Sequence, residues 1–581
     1  MTRRIINKVV LILLFLTSSI ISQTIKSIKI EGASNFSNSN YLEWISIPIN
    51  SAWFKGIEDS VSYRISRNLN ANGFFDHLII GISKQLIDSL TCAINISIDE
   101  NEQTFISNII IEQSPDSNFV FEDKLLWLKN SRFSKHELER AFADILDDFE
   151  NRGFPFASIA VNSIYIYQDT SESKSLADIY ISINAGAKSQ INFVEVVGNS
   201  KTKTDFILKS SGIKLGEEYS QSKIDEIPIR LNRLRFFDLT EKPTYYFNTA
   251  NEGILRISIK ERQTNNFDGI IGYVPSASSG EKGFFTGFLN VALRNLFGTG
   301  RNALFRWQSE SKLSQEFEIR YLEPWVFNFP LNFETTLFQR KQDTTYVQRS
   351  FSGKLEYLAT HQISASLLVG TESVIATESS AGNFFTDNSS SLTTGINFKI
   401  DSMNDFYNPT SGVYFSNTYM YTNKKINNKL NSFSSGLQRF EFDLAYVHQF
   451  INEQAAYLSV HLRELRGGNY GISDFYFLGG TNSLRGYRER QFYGNRIIWS
   501  NLEYRFLLSL KSYAFVFYDN GYFLRSEDIS KSIFETSSFK MGYGFGIKIE
   551  TGIGVLGVSF ALAKGDSFSD GKIHFGIVNE F

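Results

Sequence analysis

The sequence predicts α+β repeats followed by an all-β half: three small β-α-α-β-β modules, then a sixteen-stranded β-barrel that crosses a membrane. Three observations predict it. An aromatic cluster closing a helical stretch recurs about every eighty residues in the front half, at Phe74-Phe75, Phe154 and Phe236-Phe237. From about Phe267 the helical period gives way to alternation of period two. Beyond the N-terminus no apolar run approaches the ~20 residues of a spanning helix, so a spanning structure here has to be a closed barrel, the one sheet without edges in lipid.

Residues 1–22 read as a signal peptide. Arg3, Arg4 and Lys8 precede the apolar run Val9 to Leu16, which is too short to span, and cleavage is expected near Gln23. The remaining chain divides into modules at 23–103, 104–188 and 189–263, followed by the barrel at 264–581. Each module reads as a strand, two helices and two strands. In the second, Ser134 and Glu137 form a predicted capping box, and Leu138, Phe142, Ile145, Leu146 and Phe149 share a helical face. In the first, Ile57, Val61, Ile65 and Leu69 recur every fourth residue. In the third, Ile224, Ile227, Leu231 and Leu234 keep helical spacing around Pro228, which predicts a kink or a late helix start.

Composition narrows the function classes. The 581 residues carry a net charge of -3 with no basic block, which argues against a nucleic-acid binder. One cysteine, Cys92, rules out a disulfide framework and a multi-cysteine metal site. The six histidines (His77, His136, His361, His448, His461 and His574) are scattered, and neither Gly-x-Ser-x-Gly nor a P-loop occurs. No catalytic residue, metal site or cofactor is expected. Fifty-three Phe, 27 Tyr and 40 Gly against 9 Pro suit many strands with aromatic girdles.

In the back half Tyr543, Phe545, Ile547 and Ile549 alternate with Gly544, Gly546, Lys548 and Glu550. Such a strand would point its apolar face to lipid in a barrel and to a core in a soluble sandwich. About sixteen segments of spanning length favour the barrel. The chain closes on an amphipathic strand in which Ile573, Phe575, Ile577 and Phe581 share a face, and a terminal aromatic there resembles the C-terminal signal of bacterial outer-membrane proteins.

Late in this half a loop of about thirty residues carries Gly479-Gly480-Thr481-Asn482-Ser483-Leu484-Arg485-Gly486-Tyr487. The next two strands each carry an acid, Glu503 and Asp519. Parity turns both inward, because Ile498, Leu502, Tyr504 and Phe506 form the apolar face of one strand and Ala514, Val516 and Tyr518 that of the other. The loop is therefore expected to fold back into the lumen and dock Arg485 between Glu503 and Asp519, one guanidinium fork serving two carboxylates. The bland alternative is a surface loop with a solvated arginine.

The front modules resemble polypeptide-transport-associated (POTRA) domains, best in Val197-Gly198-Asn199-Ser200 and the Arg230 to Phe237 run. The whole mature chain is similar to the BamA/TamA superfamily of outer-membrane assembly and translocation proteins. The likeness rests on Leu484-Arg485-Gly486-Tyr487, Glu503 and Phe517-Tyr518-Asp519-Asn520-Gly521. Arg294 to Gly300 and Asp401 with Asn408 to Gly412 add to it. Leu484 stands where the family has Val or Ile, and three modules suit the TamA branch better than the five-module BamA branch. The resemblance implies an outer-membrane barrel with its modules in the periplasm, no cofactor, and nascent outer-membrane or secreted proteins as clients. It also implies a periplasmic or inner-membrane partner at the modules, and a weak seam where the first strand, about Phe267 to Pro275, meets the last, Ile573 to Phe581. A two-partner-type secretion pore is the second reading; such pores carry two modules and a plug helix.

Overall fold

The computed structural model describes residues 23–113, 121–169, 174–239, 241–262, 265–274, 284–309, 314–342, 346–376, 388–406, 408–427, 432–469, 471–527, 534–551 and 554–578. The expected signal peptide and Phe581 lie outside the described residues, as does the side chain of Ile577. Two compact units result: Met1–Asn192 with Gly216–Ser222, and Phe193–Leu215 with Lys223–Phe581.

The first unit holds two small sheets. β1 (Thr24–Glu31), α1 (Asn38–Ile45), α2 (Ile57–Ala71), β2 (Leu78–Leu86) and β3 (Thr91–Asp99) build one, ordered β1-β3-β2 with β1 and β3 parallel. Its core is the helical stripe Ile57, Val61, Ile65 and Leu69 against the inward residues of β3. The second comprises β4 (Phe105–Gln113), α3 (Glu122–Leu125), α4 (Lys135–Asn151), β5 (Ser158–Asp169) and β6 (Lys174–Asn184), ordered β4-β6-β5. Its first helix is reduced to α3 and one 3-10 turn, where a full helix is expected from the repeat.

The α4 cap is also simpler than a capping box. The Glu137 N–H donates to Ser134 Oγ at 3.5 Å, and no return bond from the Glu137 carboxylate is seen among the described residues. A reciprocal box instead opens α1, between Ser37 and Asn40.

In the second unit β7 (Phe193–Val197), α5 (Thr204–Ser211), α6 (Gln221–Arg233, whose first two residues fall in the first unit), β8 (Phe237–Leu239), β9 (Thr244–Phe247) and β10 (Gly253–Glu261) form a third sheet. Here an edge strand is broken: β8 and β9 each pair with the central β10 on the side opposite β7. Pro228 lies inside α6 without delaying its start. Burial of Ile224, Ile227 and Leu231 on one stripe outweighs the lost hydrogen bond, a cost of about 3 kcal/mol.

The first and third sheets share a physical detail. A glycine ends the first strand of each, Gly32 and Gly198, with φ of 90° and 95°; a Cβ at either would fall 1.9 Å from the carbonyl oxygen of Ile98 or Ile259. The glutamate closing the last strand then caps the loop after that glycine. Glu100 accepts from the Ser34 and Asn35 N–H groups and the Tyr41 hydroxyl. Glu261 accepts from the Thr202 N–H at 2.7 Å and the Ser200 hydroxyl at 2.7 Å.

The remainder is one sixteen-stranded sheet. It opens with β11 (Asn266–Val274), β12 (Phe284–Leu296), β13 (Arg301–Ser309), β14 (Gln315–Glu323), β15 (Leu331–Gln342) and β16 (Tyr346–Leu358). It continues through β17 (Ile363–Ala376), β18 (Asn388–Asp401), β19 (Ser411–Asn427), β20 (Ser432–Ile451) and β21 (Gln454–Gly467). Two short strands, β22 (Tyr476–Leu478) and β23 (Phe492–Gly494), pair only with each other, inside the long loop. Then come β24 (Arg496–Ser509), β25 (Ser512–Arg525), β26 (Thr536–Thr551), β27 (Gly554–Ala563) and β28 (Lys572–Val578). Neighbours are antiparallel throughout, and among the described residues no ladder joins β11 to β28. Alternation sets the faces: Leu502, Val516, Tyr518 and Phe545 stand exposed outside, while Glu503, Arg505, Phe515 and Asp519 are buried inside. Ile573 and Phe575 of the expected C-terminal signal both point outward.

The third sheet grips this barrel by its short turns. The loop capped by Glu261 meets the β12–β13 turn, where Asn295 Nδ2 donates to Thr202 Oγ1 at 2.8 Å and the Lys203 N–H donates to Gly298 O at 2.9 Å. At the end of α6, Arg233 donates to the backbone carbonyls of His361, Asp401 and Met403, and Arg235 stacks over Phe406. The two stretches around Asn295 and Asp401 thereby acquire a physical role as docking turns.

Candidate functional site in the barrel lumen

The loop between β21 and β24 turns inward. The β22–β23 hairpin forms its stem, and Leu478, Leu484, Ile497 and Phe523 bury together against Tyr476, Tyr487, Phe492 and Trp499. Gly479 and Gly480 take φ of 117° and 104°, values that disfavour a side chain, and so reverse the chain tightly. The turn closes when the Gly480 N–H donates to Leu484 O and the Gly479 N–H to Ser483 Oγ, each at 3.0 Å. Asn501 on β24 then holds the turn by donating to Ser483 O at 2.8 Å.

This places Arg485 on its two acids. Nε and Nη2 donate to the two oxygens of Asp519 at 2.8 and 2.7 Å, a bidentate fork, and Nη1 donates to Glu503 Oε1 at 2.7 Å. The Arg485 N–H adds a third bond to Asp519 at 3.1 Å. The guanidinium lies 3.7 Å from the centre of the Phe517 ring, a cation–π contact that further replaces lost water. Asp519 is wholly buried, and Arg485 and Glu503 nearly so.

Arg505, which parity also turns inward, completes the arrangement. Its Nε and Nη2 hold the other oxygen of Glu503 at 2.9 and 2.8 Å, between the rings of Tyr457 and Tyr513. Glu503 thus bridges two arginines. A buried charge survives only when paired and hydrogen-bonded, and here each carboxylate oxygen has a donor.

Backbone approach is close enough to require glycine on both sides. Gly486 has φ of 93°, and a Cβ on Gly542 of β26 would stand 1.9 Å from Arg485 O. Tyr487 reaches β26 as well, donating to Met541 O at 3.1 Å.

A second anchor was not foreseen from the sequence. Asp474 accepts from Lys424 of β19 at 2.5 Å, from Arg439 of β20 at 3.3 Å and from the Gly471 N–H at 2.8 Å. Tyr476 donates to Glu441 of β20 at 3.0 Å. One loop therefore touches β19 and β20 on one side and β24, β25 and β26 on the other, which requires the sheet to curl around it. Inward parity at Lys424, Arg439 and Glu441 was readable; their partner was not. Among the described residues no group of side chains could hold a metal ion.

A lumen loop held by a buried arginine, in a sixteen-stranded barrel preceded by small α/β modules, defines a modular outer-membrane-type barrel. Family comparison agrees. Residues 295–581 match the Omp85 superfamily domain, and residues 189–262 match the POTRA family, described as a surface antigen variable number repeat. The chain carries an Omp85 superfamily domain preceded by a POTRA repeat.

Two curated relatives are both named outer membrane protein assembly factor BamA. The one from Neisseria meningitidis serogroup B is 25% identical over 263 residues, 44% of this chain and 31% of the relative. That from Nitratidesulfovibrio vulgaris is 24% identical over 300 residues, 48% and 35% respectively. The aligned stretch thus spans about a third of the relatives' length. Among solved structures, BamA from Haemophilus ducreyi lacking POTRA domains 1-3 aligns at a TM-score of 0.46 and 16% identity, over 81% of this chain and 98% of that one. CdiB from Escherichia coli aligns at 0.49 and 13%, over 90% and 98%.

Proposed function

We propose that this protein is an outer-membrane assembly factor that inserts nascent outer-membrane proteins through a seam between β11 and β28, with its modules in the periplasm. The observation that carries the reading is the loop pinned inside the lumen by Arg485 on Glu503 and Asp519. A loop pinned inside the lumen to β19 and β20 and to β24, β25, β26 and β28 favours the wall beside β28, rather than an axial pore, as the route for a client.

Two further features support it. β11 carries Gly269 and Gly272, which weaken a strand. In the first unit the outer strand β5 is an edge whose Val161, Tyr165 and Ile166 are exposed, a surface to which an extended chain can add a strand. No cofactor enters the scheme. Insertion draws on apolar burial in lipid, at about 25 cal/mol per Å², and on completion of strand hydrogen bonds. The partners are then nascent outer-membrane or secreted chains, lipid, and a periplasmic or inner-membrane protein at the modules.

The test is a reversible disulfide between one cysteine on β11 and one on β28, in lipid vesicles offered an unfolded outer-membrane barrel. Oxidation should bring client folding down to the rate of empty vesicles, and reduction should restore it. Unchanged folding with the seam locked refutes the gate. Client recovered inside the vesicles rather than in the bilayer would establish the two-partner-type secretion pore instead.

A further inference from the structure

His574 sits on β28, the last strand, and faces inward because its neighbours Ile573 and Phe575 face out. Inside, its ring meets the docked loop. The Gly486 N–H donates to Nε2 at 3.0 Å, and Nδ1 stands 3.4 Å from Thr481 Oγ1. A ring nitrogen accepts an N–H only while it carries no proton. The bond therefore sets the tautomer: Nε2 holds the lone pair, and Nδ1–H points at the threonine.

The two loop residues involved bracket Arg485 in the chain. Gly486 follows it directly, so the peptide unit whose N–H His574 receives is the one next to the unit whose N–H seats Arg485 on Asp519. On its other side β28 is held by the ladder to β27 over Val555–Ala561. The loop thus engages β24 through Asn501, β25 through Asp519, β26 through Met541, and β28 through His574.

We propose that His574 is a positioning residue coupling the Arg485 lock to the last strand: a seated Arg485 holds β28 inward through the Gly486 N–H, and release of either end loosens the other. Coupling of this kind is reciprocal by necessity. The inference rests on the reading of the docked loop as a lock on the seam, and it makes the histidine the residue through which the lock reaches that seam. Charged groups facing the ring are Arg485 and Glu489 from the loop, Asp519 from β25 and Lys572 from its own strand. A proton on His574 would turn Nε2 into a donor opposing the Gly486 N–H, and would add a cation beside Arg485. Acid should therefore undo the coupling while leaving the carboxylate fork in place.

Amide hydrogen exchange on the full-length protein in lipid nanodiscs tests this. H574A should raise exchange in the peptide covering residues 484–487 about five- to tenfold, the effect of losing one buried hydrogen bond. H574Q, whose side-chain carbonyl can accept the same N–H, should return it to near the parent value. Reciprocally, R485A should raise exchange in β28 and leave β17 unchanged. Titrating the parent protein downward from about pH 7.5, with intrinsic rates corrected, should reproduce the H574A pattern once the ring is protonated, and H574Q should not respond over the same range. Unaltered loop exchange in H574A, or β28 indifferent to R485A, overturns the proposal. Should H574A fail to insert, H574Q against the bulkier H574L, which cannot accept the Gly486 N–H, makes the same comparison at residues 484–487. Exchange is read without any client, so failure of the coupling and failure of the assembly reading remain separate results.

Discussion

Two arginines reach onto the barrel sheet from outside it, one onto its strands and one onto its turns, and they do so in opposite environments. Arg485 comes from the lumen loop and engages two carboxylates with its side chain 8% exposed. Arg233 comes from α6 and engages three backbone carbonyls with its side chain 25% exposed. Remove the first, and two buried anions lose their cation. Remove the second, and water can reach the carbonyls. The same residue type is thus a lock in one place and a dock in the other, and burial of the partner charge decides which.

The largest expected effect follows from the lock. R485A should cost about 3–5 kcal/mol of barrel stability, measured by urea unfolding from lipid vesicles. R485K should recover only part, since an ammonium cannot form the bidentate fork on Asp519. A loss under about 1 kcal/mol would place Arg485 in the same class as Arg233.

Next comes the far anchor of the same loop. D474N keeps the shape but weakens charge-assisted bonds from Lys424 and Arg439, and should cost about 2 kcal/mol by the same measurement. Exchange in residues 471–478 should rise, while the Arg485 fork stays closed. Simultaneous loosening of both ends would mean that the loop docks as one rigid body.

R233A should cost about 1 kcal/mol or less and show locally, as faster exchange at residues 401–403 with barrel unfolding unchanged. An effect as large as that of R485A would erase the distinction drawn between the two arginines.

The smallest effect is one of pH at the dock. Burial pushes the Glu261 carboxyl up, but hydrogen bonds from the Ser200 hydroxyl and the Thr202 and Lys201 amides outweigh it and hold the group down at about 2. A depressed carboxylate stabilises the fold fully above its unfolded value near 4.5 and loses that contribution as pH falls towards 2. Exchange at residues 200–203 should rise as pH falls from about 4.5 towards 2, and E261Q should be loose at all pH values.

The lock was more legible in the sequence than the dock, for a physical reason. Strand alternation has a period of two, so four or five apolar residues assign every side chain of a strand to a face; Glu503, Arg505 and Asp519 could be placed inside before any coordinates. His574 was equally readable from Ile573 and Phe575, although it looked like one of six scattered histidines. Parity does not say which inward residue meets which. Asp474 finds Lys424 and Arg439 across the lumen, a pairing set by how far the loop extends and not by any local pattern. The repeat was legible through its aromatic clusters and helical stripes. It concealed the shortened α3 and the break between β8 and β9, because a shared core tolerates a shorter covering element. Arg233 and Arg235 stand in the Arg230 to Phe237 run that marked the third module, and only the turns at His361 and Phe406 make them a dock.

The most direct measurement is a double-mutant cycle between R485A and D519N, with urea unfolding from vesicles for the parent, both single variants and the double. A coupling of about 3 kcal/mol is expected, because each single change strands the other partner in the lumen. Additivity within about 0.5 kcal/mol would show that the arginine and the aspartate do not meet in the membrane, and the lock would be contradicted.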